Sequence, residues 1–278
     1  MGSCLRGLVG RAVLFYAVSA ATGATRWSFA TGARIDQTSP RPSRDGTAVY
    51  FGTSGGGGTV FAVDAGTGAE RWRFATGAPV YSSPALSADE TTLFIGSGDN
   101  RLRALDAATD TPRWSFATGN HVDASPALSA DGSAVYVGSG DGSVYALDAA
   151  TGALRWRFAT KFWVYATPAL STDGGTLFVG SEDDSVYAVD AFTGALRWNF
   201  TTRYTVPSRV FRSALARRAH RVRRLGRRLS LRNLQLMQQQ FSFSYNTRTI
   251  ARPSAPAVPR FGCFMSCFVL YSRHTTTS

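Results

Sequence analysis

Few residues in this sequence stand where they could do bond chemistry. His121 and Asp123 are two apart, a spacing that puts both on one face of a strand. No nucleophile or oxyanion donor accompanies them, so the pair reads as a solvated loop histidine near an acid. Cys263 and Cys267 are four apart with no His or further Cys around them, too little for a metal site. Asp99-Asn100 and Glu182-Asp183-Asp184 carry the oxygen ligands that Ca²⁺ takes, but they occupy the same slot as Gly140-Asp141-Gly142 and read as turns. Gly138-x-Gly140-x-Gly142 mimics a nucleotide loop, yet no helix follows to present its N-terminus to a phosphate.

The most regular residues are instead tryptophans. Trp27, Trp72, Trp114, Trp156 and Trp198 are spaced 45, 42, 42 and 42 residues apart. Each closes a pattern Ala-x-Asp-x-x-Thr-Gly-x-x-x-Trp. It reads Ala62, Asp64, Thr67, Gly68, Trp72, then Ala146, Asp148, Thr151, Gly152, Trp156, and again Ala188, Asp190, Thr193, Gly194, Trp198. Asp106 keeps the aspartate place before Trp114, where Asp110 replaces the glycine; Ser19 replaces the aspartate before Trp27. A buried indole removes about 150–250 Å² from water, about 4–6 kcal/mol gross, and its N–H needs an acceptor. The Asp and Thr of the turn preceding each Trp, with Gly permitting the bend, are suited to fixing that turn beside the ring.

The elements that position these residues are short strands. From Ser125 to Phe158 the sequence gives Ser125–Leu128, Ala134–Val137, Ser143–Leu147 and Leu154–Phe158, separated by Asp131-Gly132, Gly140-Asp141-Gly142 and the Asp-x-x-Thr-Gly turn. Asp-Gly between alternating apolar residues predicts a tight hairpin with φ > 0 at both central positions. Four antiparallel strands every ~40 residues is the arithmetic of a β-propeller blade. The fold class is therefore all-β. Four full units run from about Ile35 to Phe200, after two strands of an incomplete unit at 12–29. That makes about four and a half blades, an incomplete ring whose open ends expose apolar faces and strand edges.

The repeated Ala-x-Asp-x-x-Thr-Gly-x-x-x-Trp, with a Ser/Thr-Pro-Ala-Leu strand between copies, resembles the tryptophan-docking motif of the pyrroloquinoline-quinone (PQQ) repeat family over residues 12–201. The resemblance implies the propeller. It leaves activity open, because the family contains both quinoprotein alcohol dehydrogenases and non-enzymatic scaffolds. In the dehydrogenases it implies PQQ on the propeller axis, Ca²⁺ held by carboxylates and amides, a catalytic Asp, a stacking Trp and a disulfide between adjacent cysteines. Residues 12–201 contain no cysteine, so that disulfide has no counterpart, and no Asn/Glu/Asp trio stands outside the turns. The expectation is a scaffold for a protein partner, without cofactor or metal; a PQQ- and Ca²⁺-dependent oxidoreductase fragment is the alternative.

A binding surface is expected in the variable residues before each Pro strand, since loops carry function when a rigid scaffold repeats beneath them. Five before Pro84, Pro126 and Pro168 stand Pro79, His121 and Trp163; three before stand Tyr81, Asp123 and Tyr165. Gln37 takes the latter slot before Pro40, in a copy with an insertion. Trp163 lies outside the 42-residue series, so docking does not explain it. Local packing is the competing reading.

Charge divides the chain in two. Residues 1–200 hold 15 Lys+Arg against all 18 acids; residues 201–278 hold 15 Arg and no acid. The second part reads as a basic, non-repeat tail over 202–278, disordered or partly helical. Residues 213–240 fit a basic amphipathic helix able to meet nucleic acid or anionic membrane. The loss of both repeat and acids also fits sequence translated from an intron or a shifted frame. At the other end, Arg6 and Arg11 before an apolar stretch weakly resemble a secretory signal, but the same residues fit the repeat as a strand. Gly2 lacks the Ser/Thr that myristoylation expects, Arg6 standing there. No apolar run approaches the ~20 residues of a membrane helix.

Overall fold

The computed structural model describes residues 3–4, 13–201 and 267–268, and every element among the described residues is a β-strand. The helix expected at 213–240 lies outside them, as does the rest of 202–278 apart from a two-residue ladder pairing Ser3–Cys4 with Cys267–Phe268. Among the described residues no helix is long and apolar enough to cross a membrane.

Four antiparallel four-stranded sheets follow one another, each from consecutive strands: blade 1 at 41–75, blade 2 at 85–117, blade 3 at 127–159 and blade 4 at 169–201. A half blade precedes them, Leu14–Val18 paired with Thr25–Ala30. In blade 3 the strands are Ala127–Leu128, Ala134–Gly138, Ser143–Asp148 and Leu154–Ala159. The first is shorter than expected because Ser125 and Pro126 leave the ladder. Proline has no N–H to give it, and Ser125 Oγ accepts the N–H of Ser83 in the loop before blade 2. Ser83 Oγ accepts the N–H of Ser39 in the same way, so these serines stitch successive blades.

The inner two strands are apolar at nearly every position because a neighbouring sheet covers each face. Thr92–Ser97 is buried throughout, whereas Leu154–Ala159 turns chiefly Trp156 inward. The cores accordingly lie between blades. Tyr50, Val60, Ala62 and Trp72 of blade 1 pack with Leu93, Ile95, Leu105 and Ala107 of blade 2. The same layer joins blade 3 to blade 4, and Phe15, Ala17 and Trp27 of the half blade to blade 1.

The hairpin between the first two strands differs from the expectation. Only Gly132 has φ > 0 (72°), and Asp131 does not. The Asp131 carboxylate instead organises a wider turn, accepting from Ser129 Oγ, the Ser133 N–H and Ser133 Oγ. A short polar side chain that bonds its own backbone replaces the two-residue turn geometry.

Candidate functional site

The tryptophan turns are built alike. In blade 3, Asp148 Oδ1 accepts from the Ala150 and Thr151 N–H groups and from Thr151 Oγ1, closing the loop around Gly152 at φ 74°. Asp148 Oδ2 takes the guanidinium of Arg155 at 2.9 Å. A bulge makes that reach available: Ala146 faces Trp156 and Leu147 faces Leu154, so Arg155 stands unpaired on the fourth strand. Asp64–Arg71, Asp106–Arg113 and Asp190–Arg197 repeat the pair at 2.8, 2.8 and 2.7 Å. The arginine was legible as the residue before each Trp, yet the tryptophan spacing alone gives it no role. Hydrogen bonds from arginine first and threonine next hold the Asp148 carboxyl down at about 2; Asp190 is likewise at about 2, and Asp64 and Asp106 are also lowered.

The ring does not sit beside the turn of its own blade, as the order of the motif had suggested. It reaches the turn of the next blade. Trp72 Nε1–H donates to Ala107 O at 2.9 Å, Trp114 to Ala149 O at 3.0 Å and Trp156 to Ala191 O at 3.1 Å, each 35 residues on. Trp27 donates to Ala65 O at 3.0 Å. Three of the receiving turns place a glycine at φ > 0 close under the ring: a Cβ on Gly68, Gly152 or Gly194 would come within 2.6–2.7 Å of the ring atoms of Trp27, Trp114 or Trp156. Asp110 takes this place in blade 2 with φ 64°. Trp198 follows no such rule. It is 37% exposed and, among the described residues, its N–H finds no acceptor.

The loops before the Pro strands are held by a second repeating frame. Thr76, Thr118 and Thr160 each give their Oγ1–H to carbonyls across the loop: Thr160 to Gly142 O at 2.8 Å and Phe162 O at 2.7 Å. Gly98, Gly140 and Glu182 donate their N–H groups back to the carbonyls of Pro79, His121 and Trp163. In the first copy Ser54 N–H reaches Arg34 O. This frame places Arg34 and Asp36 in the variable slots, with Gln37 one residue later at φ 62°, where the insertion is absorbed.

On this scaffold the named residues differ in setting. Trp163 is 41% exposed, stacks on the exposed Phe162 at 4.6 Å and meets Tyr165 at 5.5 Å. Phe162, which spacing did not single out, is the largest addition to the site. Asp123 lies partly buried with Oδ1 lacking a hydrogen-bond partner; burial raises its carboxyl above the ordinary value, with the charge of His121 opposing. Burial also raises the Tyr165 phenol, helped by the charges of Asp123 and Glu182, which brings Tyr165 into the electrostatic field of Asp123. His121 is exposed and its Nδ1 meets Gly98 O at 2.7 Å. Tyr81 is partly buried in blade 2's corresponding loop.

Two of the turn carboxylates named as Ca²⁺ candidates, Asp99 and Asp183, are committed to other partners. Asp99 pairs with Arg103, while Asp141 accepts from Tyr145 Oη, the Ser143 N–H and the Gly119 N–H. Asp183 accepts from Tyr187 Oη, the Ser185 N–H and the Lys161 N–H. Burial first, and then these bonds, push Tyr145 and Tyr187 up to about 12. Engaged in this way, Asp99 and Asp183 do not fit the ligand set of a Ca²⁺-bound quinone.

A family model described as outer membrane protein assembly factor BamB matches residues 11–130 and 98–233. Among solved structures, the crystal structure of BamB from Moraxella catarrhalis is similar, with a TM-score of 0.58 and 24% sequence identity over 73% of this chain and 64% of that chain. At that identity the likeness concerns the fold, an incomplete β-propeller here, and this chain spans less than two thirds of that structure. No curated protein matches.

Proposed function

The chain belongs to the PQQ-repeat β-propeller family of outer membrane protein assembly factor BamB, and from that membership we propose that it is a non-enzymatic scaffold that binds a protein partner through the loops before its Pro strands. The observation that carries this reading is the Phe162–Trp163–Tyr165 cluster. Three aromatic rings stand together on a loop pinned from both sides, two of them more than 40% exposed. Rigid exposed Trp and Tyr side chains supply contact area at little entropic cost and dominate binding hot spots. Asp123 and His121 add a polar rim. Asp123 is partly buried, with its Oδ1 enclosed and without a hydrogen-bond partner among the described residues. The name of the family concerns outer membrane protein assembly; we carry over the class of partner, a protein.

The test compares the immobilised chain with Trp163→Ala/Tyr165→Ala in quantitative capture from extract, with thermal melts as controls. The double variant is expected to lose the captured partner and keep its melting transition. Unchanged capture removes the reading. Asp123→Asn is expected to raise the melting temperature at neutral pH while weakening capture. The stabilisation should fade on acidification, because the wild-type carboxyl, raised in the fold, then takes up its proton and loses the buried charge.

A further inference from the structure

Each inner joint between blades has two halves, an indole on the preceding blade and a tight turn on the following one, closed by glycine in three cases and by Asp110 in the fourth. Trp27, Trp72, Trp114 and Trp156 fill the turns that begin at Asp64, Asp106, Asp148 and Asp190. One indole and one turn are left over. Trp198 of blade 4 is 37% exposed, against 8%, 7% and 8% for Trp27, Trp72 and Trp156. The turn of the half blade, Ser19 to Gly23, has the same fold: the Gly23 N–H bonds Ser19 O at 2.8 Å and Gly23 has φ 71°. Yet a Cβ placed on Gly23 would meet nothing within 4 Å, where Gly68, Gly152 and Gly194 would each strike an indole. Among the described residues nothing fills this turn.

The faces around these two features match in the same way. In blade 1, Phe61 and Val63 turn towards the half blade and are buried there at 3% and 0%. Tyr16 and Val18 hold the equivalent places on the half blade, on the strand face opposite Phe15 and Ala17, and are only partly buried. At the other end, Tyr136 and Val144 of blade 3 are covered by blade 4, whereas their counterparts Phe178 and Val186 are partly exposed beside Trp198. A single copy closed on itself would bring Trp198 against Gly23, whereas a Cβ on Gly23 has no described atom within 4 Å and Trp198 is 37% exposed.

We infer that the 278-residue chain docks head to tail with a second copy, Trp198 of one molecule donating to the Ala20 carbonyl over Gly23 of the next. Such a joint is heterologous, since each copy offers one different end, and it produces closed rings of two or more copies, or open chains. It repeats a contact the chain already makes four times, which is why the occupant is this chain and not an unrelated protein. This inference goes beyond the scaffold reading and does not use the Phe162–Trp163–Tyr165 loop.

Sedimentation velocity on the full chain, under reducing conditions and at high salt to silence the arginine-rich residues, tests it. The wild type is expected to associate with rising concentration. Trp198→Glu and Val18→Glu, each spoiling one end, are expected to sediment as monomers. Mixed in equal amounts, they should give a dimer and nothing larger, because the intact tail of one meets the intact head of the other. Trp198→Ser and Tyr16→Ser provide the same comparison should a glutamate variant lose its melting transition. A wild type that stays monomeric, single variants that associate like the wild type, or folded variants that remain monomeric when mixed would each overturn the inference.

Discussion

At the scale of single residues, the chemistry that recurs along the chain holds turns and rings in place. The same Asp, Thr and Arg build the turn in each of the four blades, and the Trp docks on the next turn from blades 1, 2 and 3. A buried indole that donates across a joint loses both packing and its acceptor when truncated, so Trp156→Ala should cost about 3–5 kcal/mol. Trp198→Ala, at an exposed ring without an acceptor among the described residues, should cost the monomer less than about 1 kcal/mol. Thermal or chemical unfolding of the two variants side by side measures the difference. The turn aspartates set the acid limit. Their folded values lie below the ordinary carboxylate value of about 4, Asp148 and Asp190 at about 2. The stability they contribute is complete above pH ~4 and is lost as pH falls from there towards ~2. Melting temperature followed down that range should drop more steeply for the wild type than for Asp148→Asn.

At the scale of elements, the blade depends on a close approach that no tryptophan reports. In blades 1, 2 and 3 the second strand carries a glycine at or next to its end, and the next loop drops a valine onto it: Val80 on Gly52, Val122 on Gly96 and Val164 on Gly138. A Cβ on Gly52 would stand 2.4 Å from Val80 Cγ1 and 3.5 Å from Val80 O. On Gly138 it would stand 2.4 Å from both Val164 Cγ1 and Val164 O. Gly52→Ala should therefore cost about 1–3 kcal/mol, the usual range for overpacking, and Val80→Ala should recover part of it. The same pairing at Gly138 with Val164→Ala should recover little, because backbone is in the way. Denaturant melts of the two double-mutant cycles separate the cases. The strand order was legible in the sequence because each blade is local: turn residues and apolar runs recur at fixed intervals and pair with their immediate neighbours. Which turn a ring meets was not legible. The motif places Trp156 four residues after Gly152, but the contact crosses to Ala191, and only three-dimensional stacking chooses between them. The candidate loop was partly legible. Spacing picked out Trp163 and Tyr165, whereas Phe162 joins them through stacking, and the hydrogen bonds to Arg34, rather than a count from Pro40, identify Asp36 as the first copy's residue.

At the scale of the whole molecule, the described residues form successive sheets held together by indole-to-carbonyl joints. The chain has six tryptophans. Four donate across a joint, one stands in the exposed loop and one at the uncovered face of blade 4. Hydrogen exchange of the six indole N–H groups by NMR, on a dilute sample, reads every joint at once. Trp27, Trp72, Trp114 and Trp156 should exchange slowly, with Trp72 and Trp156 near the rate set by global unfolding, while Trp163 and Trp198 exchange fast. Six similar rates, or Trp72 and Trp156 exchanging as fast as Trp163, would contradict that arrangement.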